Sequence, residues 1–215
     1  ITIWGPRNEH FRQFISPEGK ILIPQVGEIQ VDGLTITRLR ERLTEEIARV
    51  FFDARVDATL IQLRHFRVYV LGDVWRPGGY AARVVDRVDQ LIDRAGGLLP
   101  TASSRSIEIL RDGKVAELSD LQKFRVEGSL NHNPYVRDGD VLLVRPRTAE
   151  VSVHGAVWVP GDVEFRQGDT IAEAIHLARG MRPEAFRSAV ELVRFNKDQL
   201  TTSSQLLDLG KPDGA

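Results

Sequence analysis

Two tryptophans are the side chains of this sequence best suited to recognise a ligand or a partner. Trp75 and Trp158 each stand two residues before a Pro-Gly pair, and Arg76, Tyr80 and Arg83 lie close to the first of them. An exposed Trp stacks on sugar rings or anchors a protein interface. A buried Trp would instead close the end of its own hydrophobic core. These five residues are therefore our candidates for a ligand-binding or interface surface, and the sequence leaves both alternatives open.

No other residue set predicts catalysis or metal binding. The five histidines are scattered, and the absence of cysteine excludes thiolate catalysis, Cys-based metal sites and disulfides. Ser103-Ser104 and Ser203-Ser204 have no nearby His in a nucleophile elbow. Asp138-Gly139-Asp140 lacks the ligand spacing of a calcium loop and predicts a turn. We expect a protein that is not an enzyme and has no catalytic residue, metal or cofactor.

The chain contains one module twice. Phe66–Arg111 aligns with Ala149–Arg194 without a gap, at a constant offset of 83 residues and with sixteen identical pairs. Tandem copies are typical of proteins that bind or assemble, since one catalytic site needs no duplicate. The identical pairs include Val70/Val153, Gly72/Gly155, Trp75/Trp158, Pro77/Pro160, Gly78/Gly161, Asp86/Asp169, Ala95/Ala178 and Gly97/Gly180.

Each copy predicts a strand, a Pro-Gly turn, a second strand, a helix and a further strand. Asp86 and Asp169 are placed to act as helix N-caps, and Gly97 and Gly180 stand where a left-handed C-cap is expected. Asp112-Gly113 predicts a hairpin after the third strand of the first copy. This order of elements is that of a β-grasp, a small mixed sheet wrapped over one helix.

The two copies end differently. The first continues to a last strand over 141–144, whereas the second has no matching segment before Ala215. We expect the second module to be truncated or to be completed by another element.

The first 64 residues have a different pattern. A helix is predicted from Thr35, as N-cap, to about Phe51. Short strands precede it and an alternating strand follows it, which makes a ββαβ-like unit and an α+β fold class for the chain. The predicted apolar face of the helix consists of Ile36, Leu39, Leu43, Ile47 and Val50. The predicted strand alternates through Val56, Ala58, Leu60 and Gln62.

Composition narrows the class of protein. A net charge of -1 gives no electrostatic reason to expect nucleic acid as a partner. No apolar run approaches the roughly 20 residues of a membrane-spanning helix. The sequence begins at Ile1, inside an apparent strand and without Met, so we interpret it as an excised fragment.

Three segments carry a family resemblance. Tyr69–Tyr80 followed by Asp86–Gly97 resembles the SLBB module, the soluble-ligand-binding β-grasp, and Val153–Gly180 resembles a second copy, with Arg179 in place of Gly96. Trp4-Gly5, the run PEGKILIPQVG and the run VDGLT resemble the later part of the polysaccharide-export domain. One export domain followed by two SLBB modules is the order of the outer-membrane polysaccharide export family.

The resemblance implies a domain organisation and a function. Residues 1–64 would be an N-terminally truncated export domain, 65–147 the first SLBB module and 148–215 the second. Family membership implies the oligomeric, periplasmic body of a channel that is attached to the outer membrane and passes capsular polysaccharide or exopolysaccharide. It also implies an inner-membrane polysaccharide co-polymerase as partner. We expect the family's opening strand, lipidation site and C-terminal amphipathic helix to be absent from this fragment.

Two functional hypotheses remain. In the first, the chain is a structural part of a translocation conduit, with its sites at subunit interfaces. In the second, it is a carbohydrate-binding module that holds a glycan through Trp75, Tyr80 or Trp158 without conducting it. An enzyme acting on polysaccharide is disfavoured, because no catalytic constellation is present.

Overall fold

The structure is a computed structural model that describes residues 1–5, 8–196 and 200–210. The chain divides into two compact units, Ile1–Leu63 and Arg64–Ala215. Within the described residues, no helix is long and apolar enough to cross a membrane. Helices and small sheets occur together in both units, and the largest sheet contains parallel and antiparallel pairs, which confirms the predicted α+β class.

The first unit is built around one helix. The hydroxyl of Thr35 accepts a hydrogen bond from the Arg38 amide and caps α1, Ile36–Ala48, as predicted. Leu43 and Ile47 are fully buried in the core of this unit. The predicted apolar face was wrong at its ends, because Ile36 lies in the first turn and Val50 follows the helix, and both are exposed.

Among the described residues of this unit, five short strands accompany the helix. A hairpin turn that contains Pro24 joins two of them, as expected. The strand predicted over residues 56–62 is much shorter, since only its first part pairs with another strand. The strands are β1 Thr2–Trp4, β2 Glu9–His10, β3 Lys20–Ile23, β4 Gly27–Gln30 and β5 Arg55–Asp57; they form the sheet β2-β1-β5 and the hairpin β3-β4.

The first repeat forms a complete β-grasp sheet in the order β7-β6-β10-β8-β9. Its last strand lies at the centre, parallel to β6 and antiparallel to β8. The short helices α2 and α3 contribute buried side chains to the core beside this sheet. The elements are β6 His65–Gly72, β7 Gly78–Arg83, α2 Val88–Arg94, β8 Ala102–Arg111, β9 Lys114–Ser119, α3 Leu121–Glu127, a 3₁₀ turn Leu130–His132 and β10 Val141–Pro146.

The described residues of the second repeat form two separate hairpins and one helix. Its core is small and centres on Val157, Val163, Leu177 and Ala178. The elements are β11 Glu150–Val153, β12 Gly161–Glu164, α4 Ile171–Leu177, β13 Val190–Phe195 and β14 Thr202–Leu207; the paired strands are β11-β12 and β13-β14. We call residues 65–147 module 1 and residues 148–210 module 2.

The predicted N-caps were wrong by one residue. The N-cap of α2 is Arg87 and that of α4 is Thr170. Asp86 and Asp169 instead accept hydrogen bonds from the amides of Arg83 and Arg166, three residues before them. The aspartates close the turn that leads into each helix, and their remaining oxygens meet guanidinium groups. Left-handed glycines do follow both helices, at Gly97 and Gly180.

Candidate interaction surfaces

Trp75 projects from the turn between β6 and β7. Its amide donates to the carbonyl of Gly97 at 3.2 Å, which ties the turn to the end of α2 while leaving 62% of the residue exposed. Two predicted neighbours lie beside it. The Arg76 amide donates to the Ala95 carbonyl, and the Tyr80 hydroxyl donates to the Arg76 carbonyl. The structure therefore brings Trp75, Arg76 and Tyr80 together on one side of module 1.

Trp158 occupies the same place in module 2. Its amide donates to the Gly180 carbonyl at 3.1 Å, and 56% of the residue is exposed. The guanidinium of Arg182 lies over the indole at 5.8 Å from the ring centre, within the range of a cation–π contact. Of the two alternatives for the tryptophans, the structure shows exposure, since more than half of each residue is accessible to solvent.

Arg83 is separated from this surface. It lies at the opposite end of β7 from the Pro-Gly turn, opposite His65. Its guanidinium meets the buried carboxylate of Asp86 at 3.1 Å. Arg83 thus serves the turn into α2, and the structure does not place it beside Trp75.

A buried arginine joins the two modules. Arg105 is 1% exposed and projects from β8 of module 1. Its Nε donates to Oδ2 of Asp120 at 3.0 Å, within its own module. Its Nη1 donates to Oδ2 of Asp169 at 2.5 Å and to the backbone carbonyl of Glu164 at 2.8 Å, both in module 2. We call Arg105, Asp120, Glu164 and Asp169 the inter-module cluster.

The Glu164 carboxylate reaches in the opposite direction. It accepts hydrogen bonds from the backbone amides of Ser104 at 2.8 Å and Arg105 at 3.2 Å, and from the hydroxyl of Ser103. Nη1 of Arg166 donates to the Arg105 carbonyl at 2.8 Å. Buried charges require such complete pairing, because desolvation would otherwise make them costly. The two modules are consequently held together by mutual charged contacts.

A second pair of contacts lies at the rim of this junction. Lys123 and Glu127 belong to α3, and Glu173 and His176 belong to α4. The Lys123 ammonium is 2.5 Å from the Glu173 carboxylate, and Nε2 of His176 is 3.3 Å from Oε1 of Glu127. These side chains are partly solvent-accessible, so their contribution to stability is smaller than that of the buried cluster.

Arg105 performs in module 2 the role that Arg94 performs in module 1. Nη1 of Arg94 is 2.8 Å from Oδ2 of Asp86 and donates to the Ala81 carbonyl at 2.9 Å. At the repeat offset, Asp86 aligns with Asp169 and Ala81 aligns with Glu164. In module 2 it is Nη1 of Arg105 that donates hydrogen bonds to Asp169 and to the Glu164 carbonyl. The position equivalent to Arg94 in module 2 is the buried Leu177. Module 2 therefore obtains from module 1 an arginine that its own helix lacks.

These contacts shift the acidity of both aspartates. Burial by itself would raise the pKa of Asp86, but hydrogen bonds from Arg94 and Arg83 outweigh it and lower the pKa to about 2. Burial likewise opposes ionisation of Asp169, and hydrogen bonds from Arg105 and the Arg166 amide hold its pKa below the usual value. Both groups are carboxylates at neutral pH and act as fixed acceptors.

Sequence reasoning missed the inter-module cluster. The available signal was the repeat itself: Asp86 and Asp169 are both preserved, whereas Arg94 is replaced by Leu177. Because module 2 keeps the aspartate but has lost the arginine of its own helix, the repeat indicates that Asp169 is paired with a cation from outside module 2. Nothing local to Arg105 identified it. Within the described residues, no group of His, Asp and Glu is arranged to hold a metal ion.

The sequence of this chain is similar to those of known polysaccharide export proteins. The profile of the family described as polysaccharide biosynthesis/export protein matches residues 1–60, and that of the SLBB domain matches 67–118 and 151–203. The chain is 31% identical over 182 residues to the polysialic acid transport protein KpsD of Escherichia coli, over 83% of this chain and 32% of the relative. It is 34% identical over 173 residues to the EPS I polysaccharide export outer membrane protein EpsA of Ralstonia solanacearum, over 79% of this chain and 46% of the relative. The chain thus spans less than half the length of these relatives.

Proposed function

The chain belongs to the family of outer-membrane polysaccharide export proteins, with an export domain followed by two SLBB modules, and from this we propose that it is the periplasmic part of an export channel. The cargo would be a capsular polysaccharide or an exopolysaccharide, as the names of the two relatives suggest. The conduit would be a homo-oligomer attached to the outer membrane, with an inner-membrane co-polymerase as partner. In this proposal residues 1–64, 65–147 and 148–215 are the three domains.

One observation carries the structural role. Modules 1 and 2 are joined through a buried, fully paired guanidinium rather than through a loose linker. A wall built of repeated subunits needs such fixed geometry, because each subunit must present complementary faces at a constant angle for a ring to close. The same family is one of exporters, so we further propose that the chain has no catalytic activity of its own.

The test is the solution mass of the protein. Light scattering over a concentration series would compare this chain with the full-length protein in detergent. We expect the full-length protein to form a discrete oligomer of several subunits. A full-length protein that stays monomeric at every concentration would contradict the conduit.

Carbohydrate binding without conduction is the second candidate, and the exposed indoles favour it. If the chain holds a glycan, Trp75→Ala and Trp158→Ala should each weaken a saturable affinity by about 1–3 kcal/mol, since a stacked aromatic is replaced by a methyl group. Isothermal titration with purified polysaccharide fragments would measure this, and Phe52→Ala, an exposed aromatic outside both modules, is the control. A conduit predicts weak binding, because it must release its cargo.

A further inference from the structure

The described residues of module 2 include no counterpart of β10, the central strand of module 1. In module 1, β10 fills the space between β6 and β8 and pairs with both. The repeat offset makes β11 the counterpart of β6 and β13 the counterpart of β8. Among the described residues, β11 pairs only with β12, and β13 pairs only with β14. The edge of β11 and the edge of β13 that correspond to the neighbours of β10 in module 1 are therefore open. Open edges present unpaired amides and carbonyls that accept a further strand.

Core burial shows the same gap. Module 1 buries its apolar side chains on both sides of β10, which adds Leu142 and Val144 to the core. Without such a strand, the same apolar positions of module 2 are only partly covered. Val68, Val70, Ile107 and Ile109 are fully buried, and their counterparts Val151, Val153, Val190 and Leu192 are partly exposed.

A glycine marks the path of the missing strand. Gly72 ends β6 with φ +86°, and a Cβ there would stand 1.9 Å from the carbonyl oxygen of Val144 in β10. Gly155 has the same left-handed conformation, φ +91°, but a Cβ there would meet nothing within 4 Å. The backbone of Gly155 therefore has the conformation that lets β10 pass close to Gly72 in module 1, but no described residue passes close to Gly155.

An arginine marks the start of that path. In module 1, Arg111 binds Asp140 through two hydrogen bonds, Nε to Oδ1 at 2.8 Å and Nη2 to Oδ2 at 2.9 Å. Asp140 stands immediately before β10 and is fully buried. Arg194 is the counterpart of Arg111, is exposed and has no ion-pair partner among the described residues.

We propose that the gap between β11 and β13 binds one extended segment of the same polypeptide, parallel to β11 and antiparallel to β13. The segment carries an aspartate that pairs with Arg194, and apolar residues two and four positions after it, as Leu142 and Val144 follow Asp140. The source is the same chain because module 1 takes β10 from its own chain after its second hairpin. The inference does not rest on the proposed export function.

A peptide of residues 137–146 of this chain is the probe for the gap. On adding it to the 215-residue chain, we expect slower amide hydrogen exchange in β11 and β13. Arg194→Met in the protein, or Asp140→Asn in the peptide, should weaken binding about tenfold or more, because a charge-assisted pair is lost. Arg187→Met, an exposed arginine of the same module, is the matched control and should bind as wild type. Absence of protection, or equal affinity for the Arg194 and Arg187 variants, would overturn the proposal.

The full-length protein tests the source of the segment. We expect β11 and β13 to be protected at every protein concentration, and the peptide no longer to bind. Gly155→Ala should then cost as much stability as Gly72→Ala, since a strand would cross above it. Protection that appears only as concentration rises would assign the strand to a second copy and would contradict the proposal, as would unprotected strands.

Discussion

Asp86 and Asp169 stand at equivalent places in the two modules, and each closes a turn and holds a guanidinium. The guanidinium comes from the adjoining helix in one case and from another module in the other. The chemistry required is the same, a planar donor that fills two acceptor sites at once, which explains why arginine serves in both. A single side chain of module 1 thus completes the local structure of module 2.

The lowered pKa values predict an acid-labile protein. Because the pKa of Asp86 falls from 3.8 to about 2 on folding, its stabilisation is present above about pH 4 and is lost as pH drops toward 2. The pKa of Asp169 is also lowered, so its contribution is likewise lost on acidification. Urea unfolding between pH 6 and pH 2 would measure this slope. Asp86→Asn should flatten it, whereas Asp112→Asn, in an exposed turn, should not; equal slopes for the two variants would disprove the assignment.

Arg179 is a residue-scale weakness of module 2. It has φ +64°, in the left-handed region, where module 1 places Gly96 at φ +87°. Since a residue with Cβ pays about 1 kcal/mol there, Arg179→Gly should raise the free energy of unfolding of module 2 by about that amount. Chemical denaturation would show it. Arg187→Gly serves as the control and should give no gain, and a destabilising Arg179→Gly would count against the prediction.

At the level of elements, the position of β10 controls what surrounds it. Gly72 must be glycine for two reasons, its positive φ and the carbonyl of Val144 above it. Gly155 has only the first reason among the described residues. A side chain at Gly155 would meet conformational strain alone, whereas a side chain at Gly72 would meet both conformational strain and steric overlap with β10.

Alanine at these two glycines should have unequal effects. Gly155→Ala should cost about 1–2 kcal/mol in the 215-residue chain, the cost of a left-handed backbone alone. Gly72→Ala should cost more than about 3 kcal/mol, because β6 and β10 must also move apart. Hydrogen exchange read out for each module would give the two values. Equal costs would mean that β10 yields easily at this point.

At the scale of the whole molecule, modules 1 and 2 form one compact unit, and Arg105, Asp120 and Glu164 of the inter-module cluster are buried between them. Removing one partner of a buried ion pair leaves carboxylates desolvated and unpaired, which costs about 3–5 kcal/mol. An exposed pair between Arg145 and Glu108 has equally good geometry, with Nε to Oε1 at 2.8 Å, but it is open to solvent. Arg105 therefore represents a buried ion-paired arginine, and Arg145 a solvent-exposed one.

Arg105→Met should separate the modules, whereas Arg145→Met should not. We expect the first to lower the free energy of unfolding by about 3–5 kcal/mol, to split unfolding into two transitions and to enlarge the particle in X-ray scattering. The second should cost about 1 kcal/mol or less. A single unchanged transition for Arg105→Met would show that apolar contacts alone join the modules.

Much of the fold followed from local pattern. The left-handed glycines after α2 and α4, Thr35 as a helix cap and the last strand of module 1 were all predicted, because each depends on residues a few positions apart. The errors lay at element ends. Ile36 and Val50 continue the apolar period of α1 yet face solvent, since periodicity gives the direction of a side chain and not what stands opposite it.

The amino-acid sequence by itself determined the two modules and their family, because a repeat with sixteen identical pairs and an ordered set of motifs needs no coordinates to be recognised. Only the tertiary structure decided that Trp75 and Trp158 are exposed, and that Arg105 lies against Asp169, 64 residues further along the chain. The pairing of Arg105 with Asp169 depends on how the surfaces of two folded modules pack against each other. Local periodicity and residue spacing give no information on that packing, so only the tertiary structure shows it.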